Sequence, residues 1–153
     1  MFLHALYNLV SHPEYITPIR EEIEPLVATL GWQKKTVTKM RKLDSFLKES
    51  IRLHPLSASK IHPVLLLNNV VGSSRYVDKK PFTFSNGVTL PVGATVMVPV
   101  LPVHQDEDIY KNASKFEGFR FYKMREEEGD TARTYCVNTN HNFLTFGHGT
   151  HAW

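Results

Sequence analysis

One cysteine, Cys136, stands in 153 residues. No internal disulfide can form, Cys136 cannot join a multi-cysteine metal site, and a reducing compartment fits. As an isolated thiol it is expected to be buried or half-buried. Long apolar runs are equally scarce. The best block, Val64 to Leu67, is closed by Asn68, far short of the roughly 20 residues a helix needs to cross a bilayer. The opening Met-Phe-Leu-His-Ala-Leu-Tyr lacks the basic start and small-residue cleavage site of a signal peptide. Nor does charge of one sign dominate. The formal net charge is +3 and the basic residues are scattered; the widest spread, Lys34 to Lys48, reads as one solvated helix face rather than a phosphate track. Nucleic acid is therefore not an expected partner. No internal repeat is visible.

What the sequence does have is 42% hydrophobic residues, enough to bury one core. Phe2, Leu3, Leu6, Leu9 and Val10 carry helical spacing. Ser11 and Glu14 have the spacing of a capping box for a second helix. That helix has an apolar face of Tyr15, Ile19, Ile23, Leu26, Val27 and Leu30 and a natural stop at Gly31. Pro18 and Pro25 are expected to bend or split it. A further helix is expected from Thr38 to Leu53, with Met40, Leu43, Leu47 and Ile51 as its buried stripe and Pro55 beyond it. The period then changes. Phe82-Thr83-Phe84 and Val88-Thr89-Leu90 flank Ser85-Asn86-Gly87, a hairpin signal. Thr95 to Leu101 is a β-branched run. Asp106 to Tyr110 reads as a short helix, Phe116 to Phe121 as an aromatic coil, and Lys123 to Asp130 as a charged surface loop. The fold class is mainly α with small β hairpins, an α+β pattern resembling the end of a larger protein.

Glu49 and Arg52 lie at i and i+3 and share a helix face. A random E-x-x-R is a solvated pair contributing under about 1 kcal/mol. Here the helix runs into Arg52-Leu53-His54-Pro55, then strands, then F-E-G-F-R-F (Phe116 to Phe121), then F-G-H-G-T-H-A-W (Phe146 to Trp153). That order resembles the C-terminal part of the cytochrome P450 family, the haem-thiolate monooxygenases, and most of all the fungal microsomal members. H-P-E-Y, R-E-E-I, M-R-K-L-D-S-F-L-K-E-S and F-T-F-S-N-G-V-T-L-P extend the likeness over nearly the whole of residues 1–153, as a partial domain.

The resemblance implies a buried structural triad of Glu49, Arg52 and Arg120, locking the later coil against the helix behind the haem. In the final loop it implies haem-binding roles for Phe146, near the thiolate; Gly149, where backbone passes close to the porphyrin; and His151, toward a propionate. The eighth place of that signature holds the axial cysteine, whose thiolate ligates iron. Here it is Trp153, whose indole N–H is a donor with no lone pair for iron. No metal ligand or catalytic residue is thus assigned in this sequence. We expect Trp153 to come from a split cysteine codon read into an intron. An exon ending T-G, followed by the common donor G-T-A-A-G-T, spells tryptophan and then stop.

The resemblance also implies insertion of one oxygen atom of O₂ into a small organic substrate, electrons from an NADPH-dependent reductase, and the cytosolic face of the endoplasmic reticulum through an N-terminal anchor not in this sequence. A basic face near Lys34 to Lys48 suits an acidic reductase surface. Residues 61–80 read as an insertion that packs poorly. Two other functions stay open. One is a non-catalytic truncated remnant or interaction module; the other is a small metal protein built on His141, His148 and His151.

Overall fold

The structure is a computed structural model, and it describes residues 2–55, 72–129 and 134–149. Helix α1 spans Phe2–Ser11 and α2 spans Ile16–Leu30, with a 3-10 turn, Pro13–Tyr15, between them. The capping box expected from Ser11 and Glu14 does not form. Ser11 is the last residue of α1, the His12 Nδ1–H donates to the Asn8 carbonyl at 3.1 Å, and α2 begins without a side-chain cap. Pro13 explains the displacement, because its fixed φ starts the 3-10 turn and places Glu14 before α2. Gly31 stops α2 as expected, at φ +68° with its N–H on the Val27 carbonyl. The prolines do not split α2. Pro18 sits in its first turn, where no intrahelical acceptor is needed, and α2 is continuous through Pro25.

A short α3, Lys34–Val37, precedes α4, Arg41–Leu53, so the helix expected from Thr38 starts three residues later. Its end is capped across space. Both oxygens of Glu22, on α2, accept the Lys42 N–H at 2.9 and 3.0 Å, and Oε2 accepts Leu43 N–H at 3.2 Å. A carboxylate there satisfies orphan donors and meets the positive end of the helix dipole.

Of the expected α4 stripe, Met40 and Ile51 are buried while Leu43 and Leu47 are half-buried. The helix also buries Ser45, Phe46, Lys48, Glu49, Ser50 and Arg52. The solvated face expected to run from Lys34 to Lys48 therefore stops short, since Lys48 has no exposed surface. α1 is the opposite case. Ala5 is buried, but Phe2, Leu3, Leu6, Tyr7 and Val10 are exposed.

Strand β1, Gly72–Tyr76, pairs antiparallel with β4, Thr95–Pro99, from Gly72 opposite Pro99 to Tyr76 opposite Thr95. Residues 72–76 thus belong to a regular strand pair, with Arg75 and Tyr76 exposed; residues 61–71, including Leu65, Leu66 and Leu67, lie outside the described residues. Strands β2, Phe82–Thr83, and β3, Thr89–Leu90, form the expected hairpin. At its turn Gly87 takes φ +86° and the Asn86 side chain accepts the Val88 N–H at 3.1 Å.

The β-branched run turns into α5, Val100–His104, directly after β4. Asp106 to Tyr110 is a set of turns rather than a helix, with Asp106 Oδ1 accepting the Asp108 N–H. Conversely, the expected charged loop is helical: α6 spans Arg120–Glu128. Phe121 and Arg125, four residues apart on one face, are both buried, and they anchor it. The core gathers Ile51, Tyr110, Ala113, Phe121, Cys136 and Phe143, with Leu47, Ile109, Met124 and Phe146 packed against it.

Candidate functional site

Helix α4 presents Glu49 and Arg52 side by side, both fully buried. Arg52 Nε donates to Glu49 Oε2 at 2.8 Å and Nη2 to Oε1 at 2.8 Å, a bidentate pair. Arg52 Nη1 donates to the Ala113 carbonyl at 2.7 Å and to the His104 carbonyl, and Nη2 reaches the Lys115 carbonyl. Arg120, at the start of α6, donates Nε to Glu49 Oε1 at 3.1 Å. Its other nitrogens meet the carbonyls of Lys111, Asn112 and Lys115. The structure thus brings Glu49, Arg52 and Arg120 together. One carboxylate cannot neutralise two guanidinium groups, and the inward-turned carbonyls of residues 104–115, with the half-exposed Glu117 carboxylate 3.8 Å from Arg120, supply the missing negative potential. Asn112 sits at φ +53°, a conformation asparagine tolerates better than most residues.

A second charged cluster lies beside the first and was not anticipated. Arg125 Nη2 pairs with Asp44, while Arg125 also donates to the Thr134 hydroxyl at 3.0 Å and carbonyl at 2.6 Å. Asp44 in turn accepts the Cys136 N–H at 3.1 and 3.2 Å. Lys48 donates Nζ to the Tyr135 carbonyl at 2.7 Å and lies 4.2 Å from the Phe143 ring centre and 4.9 Å from that of Phe121. Burial pushes its pKa down to about 8, against the opposing pull of Cys136 and Asp44. The sequence signal was present in the four-residue spacing of Asp44 and Lys48, but that spacing is also the mark of a solvated pair.

Cys136 is buried as expected, and burial, with Asp44 adding to it, pushes its thiol up to about 12 from an ordinary 9.0. The thiolate is the nucleophile, so the shift cuts its population roughly a thousandfold. Alkylation by iodoacetamide at neutral pH is expected to be much slower in the folded chain than in urea, the lost thiolate population outweighing the higher nucleophilicity of a more basic thiolate. Equal rates would place the sulfur at the surface.

The glycine loop follows. Phe143 is fully buried, Phe146 is half-buried against the core, and the Thr145 hydroxyl reaches the Ile51 carbonyl at 3.5 Å. Gly147 and Gly149 take φ of +78° and +88°, and a Cβ at either would meet open space. Left-handed backbone, rather than crowding within this chain, is what glycine supplies there. The rings of His141 and His148 lie 4.6 Å apart. His151 and Trp153 lie outside the described residues. Among the described residues, no group of three or more His, Cys, Asp or Glu is placed to hold a metal ion.

A family model, Cytochrome P450, matches residues 2–152. The chain belongs to the cytochrome P450 family. It is similar to Cytochrome P450 monooxygenase 71 of Postia placenta, 41% identical over 149 residues, covering 97% of this chain and 27% of the relative. It is also similar to Cytochrome P450 monooxygenase sirB of Leptosphaeria maculans, 38% identical over 156 residues, covering 99% of this chain and 28% of the relative. Cytochrome P450 monooxygenase janQ of Penicillium janthinellum is 37% identical, over 99% of this chain and 28% of its own length. The chain spans about a quarter of the length of these curated relatives. The mainly helical fold with small antiparallel strand pairs is that expected for the C-terminal part of the family.

Haem is the family's cofactor, and Cys136, as the structure places it, does not fit a thiolate ligand to it. The one cysteine is tied to Asp44 through its backbone, inside the core. Its thiol is held strongly protonated.

Proposed function

We propose that this chain is the loop-bearing part of a haem-dependent monooxygenase that oxidises a small organic substrate, and that with Trp153 it does not itself sustain the reaction. The observation that carries this reading is the buried set of Glu49, Arg52 and Arg120. It fixes α4 and the start of α6, and the aromatic core beside it seats Phe146. In this reading the three charged residues are structural, while Phe146, Gly149 and His151 face the haem. An NADPH-dependent reductase is the proposed electron donor. Lys34, Lys35 and Lys39 remain exposed and form the basic face that would meet it. We place the whole protein at the endoplasmic reticulum membrane; among the described residues no helix is long and apolar enough to cross a membrane. Residues 61–80 are the proposed insertion.

Absorption spectroscopy of the purified chain and of its Trp153→Cys variant, each mixed with haem, reduced and exposed to CO, tests this. The expected result is a thiolate-type ferrous–CO band in the variant and none in the unmodified chain. Haem uptake by neither would sink the haem-loop assignment and favour an interaction module. Zinc retained through dialysis would favour a histidine metal site at His141, His148 and His151.

A further inference from the structure

His104 closes α5 and is fully buried. Its Nδ1 lies 3.0 Å from the Arg52 carbonyl, and its Nε2 lies 2.9 Å from the Leu144 amide nitrogen. A carbonyl can only accept, so Nδ1 must carry the hydrogen; an amide N–H can only donate, so Nε2 must offer its lone pair. The ring stacks on Phe143 at 5.1 Å between centres, with the planes 13° apart. Its own backbone carbonyl accepts from Arg52 Nη1. We infer that His104 is a positioning residue, a neutral imidazole fixed in one tautomer, which latches the backbone of the glycine loop at Leu144 to the end of α4.

The surroundings favour the neutral ring. The charged groups that face it are Arg52 and Lys48, both cations on α4; from the loop it meets the Phe143 ring and the Leu144 amide. Burial pushes its pKa down to about 4, with both cations adding to that and the bond to the Arg52 carbonyl opposing it. A second proton would have to go on Nε2. It would set N–H against N–H, and the bond to Leu144 would break. The latch is thus a local acid-sensitive link between the charged set on α4 and the loop three residues before Gly147. The importance of that loop for haem rests on the proposed function, but the latch itself does not.

The test uses the unmodified 153-residue chain with 15N-labelled histidine. At neutral pH, NMR is expected to report His104 as the Nδ1–H tautomer with a protected Leu144 amide. Acidification through pH 4 should remove that protection together with the neutral ring. Two variants separate the latch from simple packing. In His104→Gln the side-chain oxygen can reach the Leu144 N–H; in His104→Asn the side chain reaches the Arg52 carbonyl but not Leu144. Exchange of the Leu144 amide should be about tenfold faster in the Asn variant than in the Gln variant. The Nε2–H tautomer, titration of His104 near its ordinary 6.5 with Leu144 still protected, or equal exchange in two folded variants would overturn the inference. Should neither variant fold, the tautomer in the unmodified chain still decides. Haem uptake is scored separately, so loss of the haem reading would leave the latch standing, and the reverse.

Discussion

Glu49→Gln is expected to destabilise the chain by about 3–5 kcal/mol, although it changes one oxygen to nitrogen and almost no volume. Glu49 accepts from Arg52 Nε and Nη2, from Arg120 Nε and from the Glu117 N–H. The amide would keep one acceptor and point an N–H₂ at a guanidinium. Arg52 would then sit in the interior balanced by backbone carbonyls, and Arg120 by carbonyls and the half-exposed Glu117 carboxylate at 3.8 Å. Since a domain of this size is stable by only about 5–15 kcal/mol, the variant should stand near its unfolding threshold. Glu117 supplies an internal control. It also approaches Arg120, at 3.8 Å, and pairs with Lys123 at 2.5 Å, but 35% of its side chain is exposed. Glu117→Gln should therefore cost under about 1 kcal/mol. Urea unfolding of the two variants checks the contrast. Equal midpoints would mean that the Glu49 site is wetter than the geometry indicates.

The same comparison shows where sequence reading holds and where it stops. Periodicity finds α4 because Met40 and Ile51 recur at helical spacing, and the Asn86-Gly87 turn finds the hairpin because only a few residue types accept its backbone. Both signals are local. Periodicity misplaces the start of α4 by three residues because its cap is Glu22, on another helix, and no window around Thr38 contains it. Charge alone places Lys48 and Arg125 in water. The partners that make them buried, the Tyr135 carbonyl, Thr134 and the Phe143 ring, are about ninety or about ten positions away. Helix α6 was hidden for a related reason. R-F-Y-K-M-R-E-E-E reads as a polar surface stretch until Phe121 and Arg125 are seen to dock on α4. The glycine loop was legible by resemblance, whereas the His104 latch was not, since a lone histidine carries no spacing to betray a partner at Leu144.

Phe143→Ala is the other substitution expected to cost most, about 3–5 kcal/mol. The ring has no exposed surface, stacks on His104, meets Phe121 edge-on at 6.1 Å and covers the Lys48 ammonium. Its removal opens a cavity that three elements border, and the rigid backbone bonds of His104 and Arg52 leave little freedom to collapse it. The consequence for Lys48 separates this variant from other core truncations. Burial holds the Lys48 pKa at about 8, below the 10.5 of the unfolded chain. Between those values the unfolded chain binds a proton that the folded chain has released, so stability rises with pH. From about pH 8 upward the Cys136 thiol acts in the opposite direction, because the folded chain keeps its proton to about 12 while the unfolded chain begins to lose it. Between pH 8 and 9 the lysine still dominates, and the unmodified chain should gain about 0.6 kcal/mol net. With the ring gone, water reaches the ammonium, its pKa returns toward the ordinary value and the gain disappears. Phe143→Leu, which keeps much of the volume, should lose less stability and keep most of the rise. Urea unfolding of the three chains at the two pH values measures both effects. A Phe143→Ala chain that still gains stability from pH 8 to 9 would show that something other than this ring keeps water from Lys48.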